Sequence, residues 1–252
     1  MPGSSSRRGP RLELIRNPVP SFIDQFEVLL LDMNGTFMFG HDRFGPEEDY
    51  FATYRALGGR RLDRTGLTAV LAPTLAEVLA VYDNPAHVDD FPSLAEAFRR
   101  YGHAEDADIP ILERIFAAHE LGRVPPEHQT FLRQVARTHR LGVVSNLCSH
   151  PDLWLSEHPD AETFRLFTAL VYSSEGRSIK PSPALFRRAL SHFPGTAAIV
   201  LIGDSLDRDV IPAKALGLST VWIAPSGSAH PAADRVVERL PDLARPHQSA
   251  EE

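Results

Sequence analysis

Short unbroken apolar runs alternate along this chain with longer stretches in which apolar residues return every three or four positions. The most apolar run, Val28-Leu29-Leu30-Leu31, ends in Asp32-Met33-Asn34-Gly35-Thr36. So uniform a run predicts a strand buried on both faces of a parallel sheet, with a sharp turn at the glycine. Similar runs recur at 141–145, 169–172, 198–202 and 220–223, with helical spacing between them. Strands alternating with helices imply βαβ units. The expected fold class is therefore α/β, a Rossmann-like, mostly parallel sheet.

From 40 to about 125 the strand-like runs vanish and helical spacing takes over. Leu67, Leu71, Leu75, Val78, Leu79 and Tyr82 share one helical face, as do Ile111, Leu112, Ile115 and Phe116. Ser93 with Glu96 has the spacing of a capping box, and Gly122 followed by Pro125 reads as a helix stop. Helix resumes over 127–139, with Gly142 as its expected C-terminal cap. The expected organisation is a flexible tail over 1–20, a core over 21–40 and 125–240, an all-helical insertion over 41–124, and a second tail over 241–252.

Composition narrows the partners. A formal charge of −7 and the lack of a clustered basic face exclude a nucleic-acid backbone as the main partner. One cysteine, Cys148, leaves no internal disulfide and fits a reducing compartment. No secretory h-region follows Met1, and no apolar stretch is expected to approach the roughly 18 residues that span a bilayer. A cytoplasmic protein without membrane contact is expected. Of 26 basic residues only Lys180 and Lys214 are lysine. Each therefore raises the question of why a compact ammonium was needed in place of a guanidinium.

Chemistry concentrates where strands end. Asp32 closes the first strand, where open α/β sheets place ligands, and a carboxylate there can act as a nucleophile. Val143-Val144-Ser145-Asn146 ends the second strand in a hydroxyl that, with nearby backbone N–H groups, can hold a phosphoryl oxygen. Lys180 precedes Pro181, which favours an extended residue, and Ser182-Pro183 opens a helix. Gly203-Asp204-Ser205-Leu206-Asp207-Arg208-Asp209 closes another buried strand with three acids, oxygen ligands of the kind magnesium takes. Singly, each has a plainer alternative: a capping aspartate, a turn serine, a solvated lysine.

Together and in this order the four segments resemble motifs I to IV of the haloacid dehalogenase superfamily over about 22–240. The resemblance implies Asp32 as nucleophile and Ser145, Asn146 and Lys180 as phosphoryl-binding groups, with Lys180 also balancing charge. It implies Mg2+ held by Asp32, Asp204 and the main-chain carbonyl of Asn34, with Asp209 supporting. Asp207 falls outside the motif, and Lys214 reads as a surface residue. The helical insertion corresponds to a C1-type cap. The implied activity is Mg2+-dependent hydrolysis of a small phosphorylated metabolite through an aspartyl-phosphate.

One residue departs from the pattern. Where the family's phosphatases carry a second acid that protonates the leaving oxygen and then activates water, this chain has Asn34, which can do neither. Three readings follow. The substrate has a good leaving group, as in an acyl or aryl phosphate, or His41 substitutes for the acid. Alternatively, the chain is a catalytically impaired relative that binds a phosphorylated ligand or a protein partner. Thirdly, the chemistry differs: dehalogenases of the family also lack the second acid, but they lack the Gly-Asp of motif IV that is present here. Phosphonate-cleaving relatives use a cap lysine, and none lies between 40 and 125. A phosphomutase relies on the missing acid. Arg43, Tyr54, Arg55, Arg60 and Arg61 could reach an anionic substrate or form a solvated face, Cys148 is expected as a small buried hydrophobe, and Trp154 and Trp222 are expected to pack.

Overall fold

A computed structural model describes residues 21–196 and 198–244, so the expected tail over 1–20 lies outside the described residues. Six parallel strands form one sheet: β1 (Val28–Leu31), β2 (Arg140–Ser145), β3 (Ala169–Tyr172), β4 (Ile199–Gly203), β5 (Ser219–Ile223) and β6 (Arg235–Val237). Their order is β3-β2-β1-β4-β5-β6. The chain leaves β1 for one side of the sheet and later returns to the other, so the crevice beyond the C-terminal end of β1 is the topological switch point where such sheets bind ligands.

Both faces of β1 are buried, which its unbroken apolar run requires. Leu29 and Leu31 pack with Phe131, Leu132, Leu141 and Val143, whereas Val28 and Leu30 pack on the opposite face with Leu185, Phe186 and Phe193. Phe131, Leu132, Leu185 and Phe186 come from helices between the strands, numbered here in chain order with those of the helical segment: α5 (Pro126–Val135), α6 (Ala161–Phe164), α7 (Pro183–Ser191) and α8 (Ile211–Ala215).

Between β1 and β2 lie α1 (Tyr50–Ala56), α2 (Arg64–Tyr82), α3 (Leu94–Arg100) and α4 (Ile109–Glu120). Asp49, Asp63 and Ser93 cap the first three, and Ser93 with Glu96 closes the expected capping box. These helices have their own buried cluster, including Tyr54, Leu67, Leu71, Phe98, Leu112 and Phe116, and Ile179 of the core inserts into it. The two connections to the core run side by side, Phe39 and Arg123 exchanging backbone hydrogen bonds of 2.9 and 2.8 Å. Gly122 permits that approach, because a Cβ there would lie 2.7 Å from the Phe39 carbonyl carbon.

Several expectations are corrected. Gly142 is not a helix cap: α5 ends at Val135, and Gly142 lies within β2, where a Cβ would press on Leu30 and Phe193. Residues 240–244 form a helical turn with Leu243 buried, and the Ser21 hydroxyl donates to the Leu243 carbonyl, so 241–244 are not tail; 245–252 lie outside the described residues. Leu79 is 51% exposed although it shares the face of buried Leu67 and Leu71. α2 also contains an 18-residue window of mean hydropathy 1.5, long and apolar enough to cross a membrane by length and composition. The alanines between its leucines raise the mean without forming an unbroken run; four residues of α2 are buried, and Leu67, Leu71 and Val78 among them belong to the helical cluster.

Candidate active site

The strand register brings the separated segments to one crevice. Leu31 pairs with Val143 on one side and Ile202 on the other, and Asp32, Ser145 and Asp204 follow within two residues of those positions. The Asp32 amide donates to the Ile202 carbonyl at 2.9 Å, fixing the carboxylate at the sheet edge.

Asp32 is 4% exposed and Lys180 3%. The Lys180 ammonium donates to Asp32 Oδ1 and to Asp209 Oδ1, both at 2.5 Å. Ser145 Oγ donates to Asp32 Oδ1 at 3.0 Å, and Thr36 Oγ1 to Oδ2 at 3.4 Å. Burial works against a charged lysine, but the carboxylates of Asp209 and Asp32 outweigh it and hold the Lys180 pKa above its ordinary value. The second oxygen of Asp209 accepts from the Ser205 amide at 3.1 Å. Asp209 is thus fixed from both sides.

One carboxylate oxygen from each of Asp32, Asp204 and Asp209 falls within a 4.8 Å cluster. Three carboxylates against one ammonium leave two negative charges in excess. Desolvation and the neighbouring Asp32 raise the Asp204 carboxyl to about 6. Oxygen donors with a deficit of two positive charges fit a hard divalent cation. Gly35 is required beside them: its φ is +81°, and a Cβ would lie 2.7 Å from Asp204 Cγ.

Asn146 does not aim its side chain into open space. Its Oδ1 accepts from the Lys180 amide at 2.7 Å, and its Nδ2 donates to the Lys180 carbonyl and to the Tyr82 hydroxyl, each at 3.2 Å. It clasps the Lys180 loop, whose peptide bond to Pro181 is cis. Asn34 lines the crevice with Oδ1 buried and without a partner. His41 lines it too; its Nε2 is 3.7 Å from Asp42 Oδ2, and its buried Nδ1 has no partner.

The arginines and the tyrosine early in the helical segment serve the fold. Arg43 donates to the carbonyls of Gly40, Ala118 and Leu121, and Arg55 to that of Gly59. Arg61 pairs with Glu105 and Asp108, and the buried Tyr54 hydroxyl accepts from the Leu62 amide. None of these, nor Arg60, lines the crevice. Lys214 pairs with Asp234 near the surface, Asp207 is exposed, and Trp154 packs on Phe164 and Tyr172. Cys148 lines the crevice, and burial together with Glu120 pushes its thiol pKa well above the ordinary value.

The roles of Glu120, Trp222 and Arg208 in the site are not legible in the sequence. Glu120, the last residue of α4, is 4% exposed; its two oxygens accept from the Cys148 and Ser149 amides at 2.6 and 2.9 Å. Desolvation raises its carboxyl to about 7. Trp222 Nε1 donates to the Asp204 main-chain carbonyl at 2.9 Å, so this indole positions the acid. Arg208 stacks 3.8 Å from the centre of the Tyr82 ring and pairs with Asp83, joining α2 to the core. Pairs of this kind, between residues distant in sequence, carry no local signal.

The parallel sheet, the strand-end carboxylates and the buried lysine define a hydrolase-type α/β site covered by a helical segment. The sequence model of the HAD-hydrolase-like family matches residues 179–247, which include Lys180, Asp204 and Asp209. The chain is 29% identical over 182 residues to a phosphoserine phosphatase of Thermus thermophilus, covering 70% of this chain and 69% of that protein. A HAD phosphatase from Thermococcus onnurineus superposes with a TM-score of 0.57 at 24% identity, covering 86% and 95% of the two chains. A 2-haloacid dehalogenase from Pseudomonas syringae gives 0.59 at 21%, covering 86% and 96%. The stretch 179–247 is thus HAD-hydrolase-like, and the sheet with its surrounding helices has the fold of HAD hydrolases.

Proposed function

We propose that the chain is a Mg2+-dependent phosphohydrolase that acts on a small phosphorylated molecule through an aspartyl-phosphate at Asp32, with acid–base help weakened by Asn34. The observation that carries this reading is the buried Asp32–Lys180–Asp209 array at the end of β1 with Asp204 beside it, three carboxylates against one ammonium. Asp32, Asp204 and the Asn34 main-chain carbonyl would hold magnesium, which when bound neutralises phosphoryl oxygens. Asp32 presents a fixed carboxylate oxygen to phosphorus. Lys180 and Ser145 steady that carboxylate and, once it is esterified, are free to donate to the phosphoryl oxygens. Residues 41–124 act as the cap: the Phe91 amide donates to the Arg177 carbonyl and the Ile179 amide to the Val88 carbonyl across the junction, shielding a charged reaction from water. The named phosphatase relative supports a phosphate ester over a haloacid, and the single cysteine supports work in the reducing cytoplasm.

A general acid contributes about 10²–10⁴-fold. The native chain should therefore release phosphate from acetyl phosphate or an aryl phosphate, and Asn34→Asp should extend release to sugar phosphates. Failure of both forms on every ester would favour the second reading, a phosphate-ligand binding protein, which the side chain of Asn34 itself motivates.

A further inference from the structure

The crevice over Asp32 is a cavity of about 360 Å3, near the small end of the ligand-pocket range. Its floor and roof differ in chemistry. The floor carries Asp32, Asn34, Lys180, Asp204 and Asp209; the roof, from the helical segment, is built largely of Phe44, Leu75, Leu79, Tyr82, Phe91 and Phe116.

Most polar groups between floor and roof are already engaged, His41 Nδ1 and Asn34 Oδ1 beside the floor being exceptions. Both Glu120 oxygens accept backbone amides, and Asn146 clasps Lys180. Ser173 Oγ is shared between the Leu147 amide and carbonyl, and Arg208 is held by Asp83 and two carbonyls. A sugar or polyol placed against the roof side chains would lose water and gain few partners for its hydroxyls there, which costs affinity. An apolar ring would instead bury its faces against phenyl and leucyl side chains. Independently, Asn34 supplies no proton to a departing oxygen, which favours a leaving group that departs unprotonated.

Both observations converge on one leaving group, and we infer that the substrate class is an aryl phosphate monoester, its ring under the aromatic roof. The inference rests on the phosphohydrolase reading above and narrows its substrate. In the first step an Asp32 oxygen bonds to phosphorus while the phosphorus–aryl oxygen bond breaks, and the electron pair leaves with the aryloxide. Water then bonds to phosphorus, the phosphorus–Asp32 bond breaks, and Asp32 returns as carboxylate with release of inorganic phosphate. The proton lost by water is balanced by the one the aryloxide takes up in solution.

The test is calorimetric titration of the full chain, in the presence of magnesium, with phenylphosphonate, methylphosphonate and a dihydroxypropyl phosphonate, none of which can be hydrolysed. Phenylphosphonate should bind about 10-fold or more tightly than methylphosphonate, as apolar pocket contacts of this size typically allow. The dihydroxypropyl compound should bind no tighter than methylphosphonate. Leu79→Asn, at a half-exposed roof position, should reduce the phenyl-to-methyl ratio, with urea unfolding confirming that the variant folds. If phenylphosphonate binds no tighter than methylphosphonate while acetyl phosphate is turned over, the aryl inference is overturned and the hydrolase reading stands. If no phosphonate binds and acetyl phosphate is not hydrolysed, both fall.

Discussion

Lys180→Met removes one ammonium from between two buried carboxylates and keeps a side chain of similar length. In the native protein Lys180 touches Asp32 and Asp209 at 2.5 Å, with all three residues no more than 4% exposed. Breaking a buried ion pair by removing one partner costs about 3–5 kcal/mol, because the remaining charge is stranded. With a urea slope of about 1–3 kcal/mol per molar, the midpoint should fall by roughly 1–5 M at pH 8 in metal-free buffer. The variant's stranded carboxylates have folded pKa values above their unfolded ones. Their relative stability is therefore present at low pH and lost as pH rises through the folded values. In the native chain the raised Lys180 pKa makes a contribution that is fully present below the unfolded lysine value of about 10.4 and so does not vary between pH 5 and 8. The deficit should consequently shrink at pH 5, and magnesium, binding the folded state, should narrow it at pH 8. A deficit below about 1 kcal/mol at pH 8, or one identical at both pH values, would refute the buried-triad reasoning.

Two further perturbations probe the surroundings. Glu120 is raised from 4.5 to about 7, so its charging opposes folding: its contribution is fully present below pH 4.5 and lost as pH rises to about 7, on the order of 3 kcal/mol. Glu120→Gln should flatten urea stability over that interval, and an unchanged slope would assign it to other groups. Gly35→Ala should weaken magnesium binding by about 10-fold or more, read by calorimetry, because it imposes a left-handed φ on alanine and displaces Asp204; unaltered affinity would remove Asp204 from the proposed cation site.

The sheet was legible because its strands are continuous apolar runs, and Asp32, Ser145 and Asp204 because they stand where those runs stop. β6 was not: Arg235-Val236-Val237 is three residues long and opens with a charge, too short for a pattern. Leu79 fits the apolar periodicity of α2, yet faces the cavity, since periodicity identifies a face but not what covers it. The arginines of the helical segment read as a solvated face, with substrate contact as the alternative. Hydrogen bonds to helix-end carbonyls such as Ala118 and Leu121 depend on tertiary approach and decide the role of Arg43. Glu120 carries no sequence signal, because its partners, the Cys148 and Ser149 amides of the loop after β2, meet it only in the folded chain.

The central claim is nucleophilic attack by Asp32, and the most direct measurement is intact-protein mass spectrometry after a brief acid quench of the chain with acetyl phosphate and magnesium. The account predicts a covalent phosphoryl adduct that maps to the peptide containing Asp32, is lost on hydroxylamine treatment, and is absent from Asp32→Ala. An adduct of equal yield in Asp32→Ala, or magnesium-dependent phosphate release undiminished by that substitution, would contradict it.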